Sequence, residues 1–215
     1  MSTDFTALFD EWSDSYDEAV SGHDPEYNEV FRNYLHILEE VAKKAEGNTI
    51  EFGVGTGNLT ELLLKSGKKV CGIEPSAGMR KVAKQKLPEV KILQGDFLTF
   101  THPFQSVDTI VSTYAFHHLT DDEKEIAIRK YSSILKDGGK IVFADTLFED
   151  ENAKHNMIQK AEDKGFQRLA NDLLTEYYTT MPIMKGLFEQ HDFTVIFTQK
   201  NEFVWLIEAT KQRRE

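Results

Sequence analysis

Residues Glu51 to Gly57 read Glu-Phe-Gly-Val-Gly-Thr-Gly, between an apolar run and a helix-like stretch opening at Asn58. Glycines at alternate positions leave the main chain bare and reach φ values that side chains disfavour, so a ligand can lie against the backbone. The spacing narrows the choice of ligand. A dinucleotide fingerprint needs G-x-G-x-x-G, yet its third glycine falls on Asn58 when counted from Gly53 and on Thr60 when counted from Gly55. Both registers fail. Acids follow the same rhythm: Glu51 precedes the first glycine, Glu74 closes Val70-Cys71-Gly72-Ile73, and Asp96 follows Val90-Lys91-Ile92-Leu93. Glu74 lies 74 − 57 = 17 positions beyond the last glycine, near the roughly 20-residue offset at which an acid meets ribose hydroxyls. Three carboxylates at one sheet edge would repel a pyrophosphate and suit a ligand of positive charge.

A second constellation is Val111-Ser112-Thr113-Tyr114-Ala115-Phe116-His117-His118-Leu119. Histidine titrates near neutrality and can take a proton from a hydroxyl, amine or thiol; His117 is favoured for the cleft. Packing and bonding within the loop is the other use of such a pair. The seven histidines are scattered without ligand spacing, so no metal is expected.

Positioning these residues calls for an α/β framework. Strand-like runs at 48–53, 69–74, 90–94, 107–112 and 139–145 alternate with helical stretches at 58–66, 76–86 and 122–135, the pattern of a parallel sheet with helices on both faces. Upstream, 26–46 carries Val30, Phe31, Tyr34, Leu35, Leu38 and Val41 at helical spacing. Phe193 to Thr198 and Phe203 to Ala209 are joined by Gln199-Lys200-Asn201-Glu202, a link short enough to make them antiparallel neighbours.

Together, Glu51 to Asp145, Glu74-Pro75-Ser76-x-x-Met79, Leu135-Lys136-Asp137-Gly138-Gly139 and the closing hairpin resemble the class I S-adenosylmethionine-dependent methyltransferases. Phe9, Trp12, Tyr16 and Asp17 resemble the lid entry of small-molecule members, and with Phe52-Gly53 and Asn58-Leu59-Thr60 suggest the YrrT-like bacterial group. The resemblance implies a Rossmann-like seven-stranded sheet whose last strand inserts between two others. It implies S-adenosyl-L-methionine as cofactor, with Gly53, Gly55 and Gly57 against it and Glu51 near its ammonium. Glu74 would accept the ribose hydroxyls, Met79 would pack on adenine, and Asp96 with the Phe97 amide would read the adenine edge. Ser112 and Tyr16 complete the expected cofactor residues. Domain parts follow: a helical lid over 1–46, a cofactor core over 47–145, a helical insertion over 146–191 and a terminal hairpin over 192–215, all one domain. The insertion, long enough for two or three helices, offers His155, Phe166, Arg168, Tyr177, Tyr178 and Met181 toward a small methyl acceptor.

Composition sets the outer limits. Lys+Arg 25 against Asp+Glu 36 gives a net charge of −11, which disfavours nucleic acid as substrate. The lone cysteine, Cys71, sits in an apolar run and fits a reducing compartment. No basic leader precedes an apolar stretch and no run approaches ~20 apolar residues, so a cytoplasmic protein without membrane contact, monomeric or homodimeric, is expected. A nicotinamide oxidoreductase and a non-catalytic S-adenosylmethionine sensor are the rival functions.

Overall fold

The computed structural model describes residues 10, 16–20 and 22–213; Phe9 and Trp12 lie outside them. A short helix, α1 (Tyr16–Ala19), precedes α2 (Tyr34–Lys44). The sheet then builds through β1 (Asn48–Phe52), α3 (Asn58–Lys65), β2 (Lys69–Glu74), α4 (Ala77–Lys86), β3 (Lys91–Gln94) and β4 (Val107–Thr113). A 3-10 turn at Phe116–His118 leads to α5 (Asp121–Ile134) and β5 (Leu135–Thr146). Three helices follow, α6 (Glu151–Asp163), α7 (Gln167–Thr175) and α8 (Met181–Glu189), before β6 (Phe193–Gln199) and β7 (Val204–Lys211).

Strand order is β3-β2-β1-β4-β5-β7-β6. β1 to β5 pair in parallel, and β7 lies antiparallel between β5 and β6, with Asp145 opposite Trp205. The mostly parallel Rossmann-like sheet and its inserted last strand are therefore as expected. Strand alternation divides the core. Ile50, Phe52, Ile110, Ile141 and Phe143 pack on one face toward Tyr131 and Phe188. Val111, Val142 and Leu206 pack on the other toward Leu38, Val41, Leu59 and Leu63.

Two boundaries differ from the sequence expectation. The helix expected over 26–46 starts only at Tyr34, because Asn33 takes a left-handed φ of 64°. Val30 and Phe31 reach the core from turns instead, and Leu35 is 67% exposed. β5 begins at Leu135, opposite Val107; the Asp137-Gly138-Gly139 turn forms an irregularity before Lys140 rejoins the ladder opposite Thr109. α5 ends at Ile134, ahead of this glycine turn, and the turn itself makes a bulge in the strand that follows.

Candidate active site

The carboxyl ends of β1, β2 and β4 meet at a cavity of about 50 Å³. Its walls gather Tyr16, Gly53, Gly55, Glu74, Met79, Asp96 and Phe97, beside Thr113, Tyr114, Ala115 and His118. Residues far apart in the chain converge because parallel strands all end on the same edge of the sheet.

Glu74 is the organiser of this edge. Its buried carboxylate accepts the Gly55 amide at 2.9 Å through one oxygen and the Ser76 amide at 2.9 Å through the other. Burial raises its pKa, against these two amides, which lower it. The glycine turn of β1 is thereby tied to the head of α4. Gly55 has φ 57°, and a Cβ built there would meet nothing within 4 Å, so the bare backbone faces open space. Gly53 has φ 68° and is crowded by Ala115, where a Cβ would come to 2.9 Å. Asp96 accepts the amides of Leu98 at 2.8 Å and Thr99 at 2.6 Å through Oδ1, which fixes the loop after β3. Phe97 is buried and stacks on Phe52, ring centres 5.3 Å apart.

Three expected cofactor residues stand off the cavity wall. Glu51 points to the opposite sheet face from Phe52, is buried, and accepts the Thr60 hydroxyl of α3 at 2.6 Å. Burial, with a smaller contribution from the charge on Glu74, pushes its pKa up to about 8. A Cβ on Gly57 would touch Leu87 at 3.0 Å and Ala83, so this glycine serves the packing of α3 on α4. Ser112 is buried, and its hydroxyl has no hydrogen-bond partner among the described residues.

The N-terminal segment is fastened over the turn. Asp17 accepts the Thr56 hydroxyl at 2.6 Å and the Asn58 amide at 2.9 Å, while Asp10 accepts the Ser76 hydroxyl at 2.5 Å and the Gly78 amide at 2.9 Å. Tyr16 lies between these attachments, on the cavity wall.

Next to this space is a larger cavity of about 610 Å³, and the two share Tyr16, Tyr114 and His118. It is lined also by His117, Tyr27, Phe31, Asp172, Glu176 and Tyr178. His117 is wedged between carboxylates, with Nδ1 at 2.5 Å from Asp145 and Nε2 at 2.9 Å from Glu176. Burial favours its neutral form, but the two acids outweigh that and push its pKa up to about 10. A cation with both nitrogens engaged has no lone pair for an acceptor's proton, so the base role expected of His117 does not suit its geometry. His118 differs: burial and then the neighbouring His117 charge lower its pKa, its Nδ1 lies 3.3 Å from Glu176, and it lines both cavities. Sequence spacing shows no cluster here, yet ligating atoms of His117, His118 and Glu176 lie within 4.8 Å of one another. Glu176 arrives from the end of α7, which no local pattern could reveal.

Arg168, among the residues the insertion offers, forms a surface ion pair with Asp24 at 2.8 Å and Glu26 at 3.1 Å. Tyr178 stacks on His117 with ring centres 4.8 Å apart, whereas Tyr177 is 43% exposed.

Residues 50–143 match the model of a family described as "methyltransferase domain". An uncharacterized methyltransferase of Bacillus mycoides (strain KBAB4) is 59% identical over 213 residues, 99% of this chain and 100% of the relative. The chain belongs to the class I S-adenosylmethionine-dependent methyltransferases. A further methyltransferase, of Bacillus cereus (strain 03BB102), is equally similar at 59% over 99% of this chain and 100% of its own length. In fold, this methyltransferase resembles the magnesium protoporphyrin IX methyltransferase of Synechocystis PCC 6803, solved with bound SAH. That likeness has a TM-score of 0.70 at 14% identity, covering 96% of this chain and 99% of the other. Among the described residues of the methyltransferase, no helix is long and apolar enough to cross a membrane.

Proposed function

We propose that this methyltransferase acts on a small molecule held in the larger cavity, with its cofactor lying against Gly53 and Gly55. The observation that carries the reading is the shared wall: Tyr16, Tyr114 and His118 belong to both cavities, so a group bound in one faces the other. Open space before Gly55 and the orphaned hydroxyls of Ser112 and Tyr114 suit a ligand with polar atoms. S-adenosylmethionine, when bound, supplies an electrophilic methyl group on a positively charged sulfur.

The chain's own residues orient and seal. Glu74 offers its remaining lone pairs to ribose hydroxyls, Asp96 and the Phe97 amide meet the adenine edge, and Met79 packs beneath it. His118 accepts the acceptor's proton where one must leave. Proximity in a water-poor site supplies much of the remaining acceleration. The segment carrying Tyr16, tied to the glycine turn and the head of α4 through Asp17 and Asp10, closes over the cofactor. Tyr16, Val20, Tyr27 and Phe31 from the N-terminal part, with Thr146 and the residues from Gln167 to Tyr178 that line the cavity, supply the acceptor wall in a single-domain cytoplasmic enzyme.

Calorimetry with S-adenosylhomocysteine tests the cofactor site. Glu74→Ala should lose roughly 1–3 kcal/mol of affinity as hydroxyls go unpaired; an unchanged dissociation constant removes Glu74 from the site. Methyl-labelled cofactor incubated with metabolite pools should give a labelled small product. Its absence despite firm cofactor binding would point to the sensor.

A further inference from the structure

Two cations line the larger cavity among the described residues, and each is already held by two acids. Arg168 reaches Asp24 at 2.8 Å and Glu26 at 3.1 Å. His117 reaches Asp145 at 2.5 Å and Glu176 at 2.9 Å. Each group therefore carries one positive charge against two negative ones. Asp172, which accepts the Tyr27 hydroxyl, adds a further carboxylate to the wall. A carboxylate or phosphate entering this space would find excess negative charge in a partly desolvated setting and no spare cation.

The apolar walls fit the opposite kind of guest. Tyr27, Phe31, Tyr114 and Tyr178 turn aromatic surface to the cavity, and aromatic faces attract organic cations. Tyr114 takes a left-handed φ of 53°, unusual for a residue with a large side chain. Its ring is packed between Phe31 at 5.4 Å and Tyr34 at 5.5 Å. The Tyr114 hydroxyl is buried without a hydrogen-bond partner among the described residues, although it belongs to a wall residue of both cavities. A ligand N–H would satisfy it.

Resting on the methyl-transfer reading above, we infer that the acceptor is a small organic amine, bound as its ammonium by Asp172 and Glu176 with its apolar body against the tyrosines. The ammonium proton passes by way of His118, on the shared wall, to bulk water; the nitrogen keeps the freed electron pair, which it needs to act as nucleophile.

The test is titration of the enzyme, saturated with S-adenosylhomocysteine, with matched probes of opposite charge. Primary amines from methylamine to phenethylamine are compared with the corresponding carboxylates, up to 3-phenylpropionate. At least one amine should bind saturably and at least tenfold more tightly than its carboxylate partner. Asp172→Asn and Glu176→Gln should each weaken that amine at least fivefold. Affinity for S-adenosylhomocysteine, measured on each variant, reports that the fold survives. Equal or tighter binding of the carboxylates overturns the inference, as does absence of saturable binding by every amine. Retained amine affinity in both variants overturns it too. Failure of the wild type to bind S-adenosylhomocysteine would instead sink the methyl-transfer reading itself.

Discussion

Nδ1 of His117 lies 2.5 Å from Oδ1 of Asp145, joining the turn after β4 to the end of β5. Oδ2 of Asp145 also accepts the backbone amides of Phe116 at 2.6 Å and His117 at 3.1 Å. The acid therefore shapes the turn and holds the imidazolium at once. Burial opposes its charge, but His117 and a hydrogen bond from the Thr146 amide lower its pKa overall.

This pairing gives stability a definite pH signature. The folded-state pKa of His117 is raised from 6.5 to about 10, so its contribution is complete below pH 6.5 and fades as pH climbs toward 10. Urea unfolding at pH 6, 8 and 10 should show a decline that His117→Gln flattens. An identical slope in the variant would mean the imidazolium is not preferentially held in the fold.

Glu51 has the same sign for a different reason. Its pKa rises from 4.5 to about 8 because the carboxyl is buried, and the folded form keeps a proton that the unfolded chain releases. Stability attributable to it is complete below pH 4.5 and falls as pH rises to about 8. Glu51→Gln should unfold at higher urea than wild type at pH 8, by an amount on the order of a few kcal/mol, with little gain at pH 4.5. If the cofactor ammonium approaches Glu51, binding at pH 7 should also release protons, seen as buffer-dependent heats and lost in Glu51→Gln.

Gly55 and Gly57 should separate binding from packing. Alanine at either positive φ costs about 1–2 kcal/mol of stability. At Gly55 the new methyl projects into open space on the cavity wall, so S-adenosylhomocysteine should bind at least tenfold more weakly. At Gly57 it meets Leu87 and Ala83 instead, and affinity should stay within about twofold. Matching affinity losses in the two variants would refute the division.

Asp17 is expected to govern cofactor release. Removing its bonds to Thr56 and Asn58 with Asp17→Ala should loosen the segment carrying Tyr16 and speed dissociation by roughly tenfold, about 1.4 kcal/mol. Stopped-flow displacement measures this; an unchanged rate would leave the segment without a gating role.

The sequence by itself determined the sheet and its ligand edge. Short apolar runs, broken by glycine and followed by acids, place Gly53, Gly55, Glu74 and Asp96 at strand tips, and parallel strands have only one carboxyl edge on which to gather. Local spacing also excluded the dinucleotide register. It could not say which way a strand-borne acid faces relative to a cavity, and Glu51, expected near the ligand, turned to the α3 face. Nor could it distinguish the two histidines, because their difference depends on Asp145 and on Glu176, 58 residues beyond His118. The tertiary structure alone decided which imidazole is locked as a cation and which is left neutral on the shared wall. Charge state in a buried site is a sum over all neighbours, and those neighbours are set by packing, not by order along the chain.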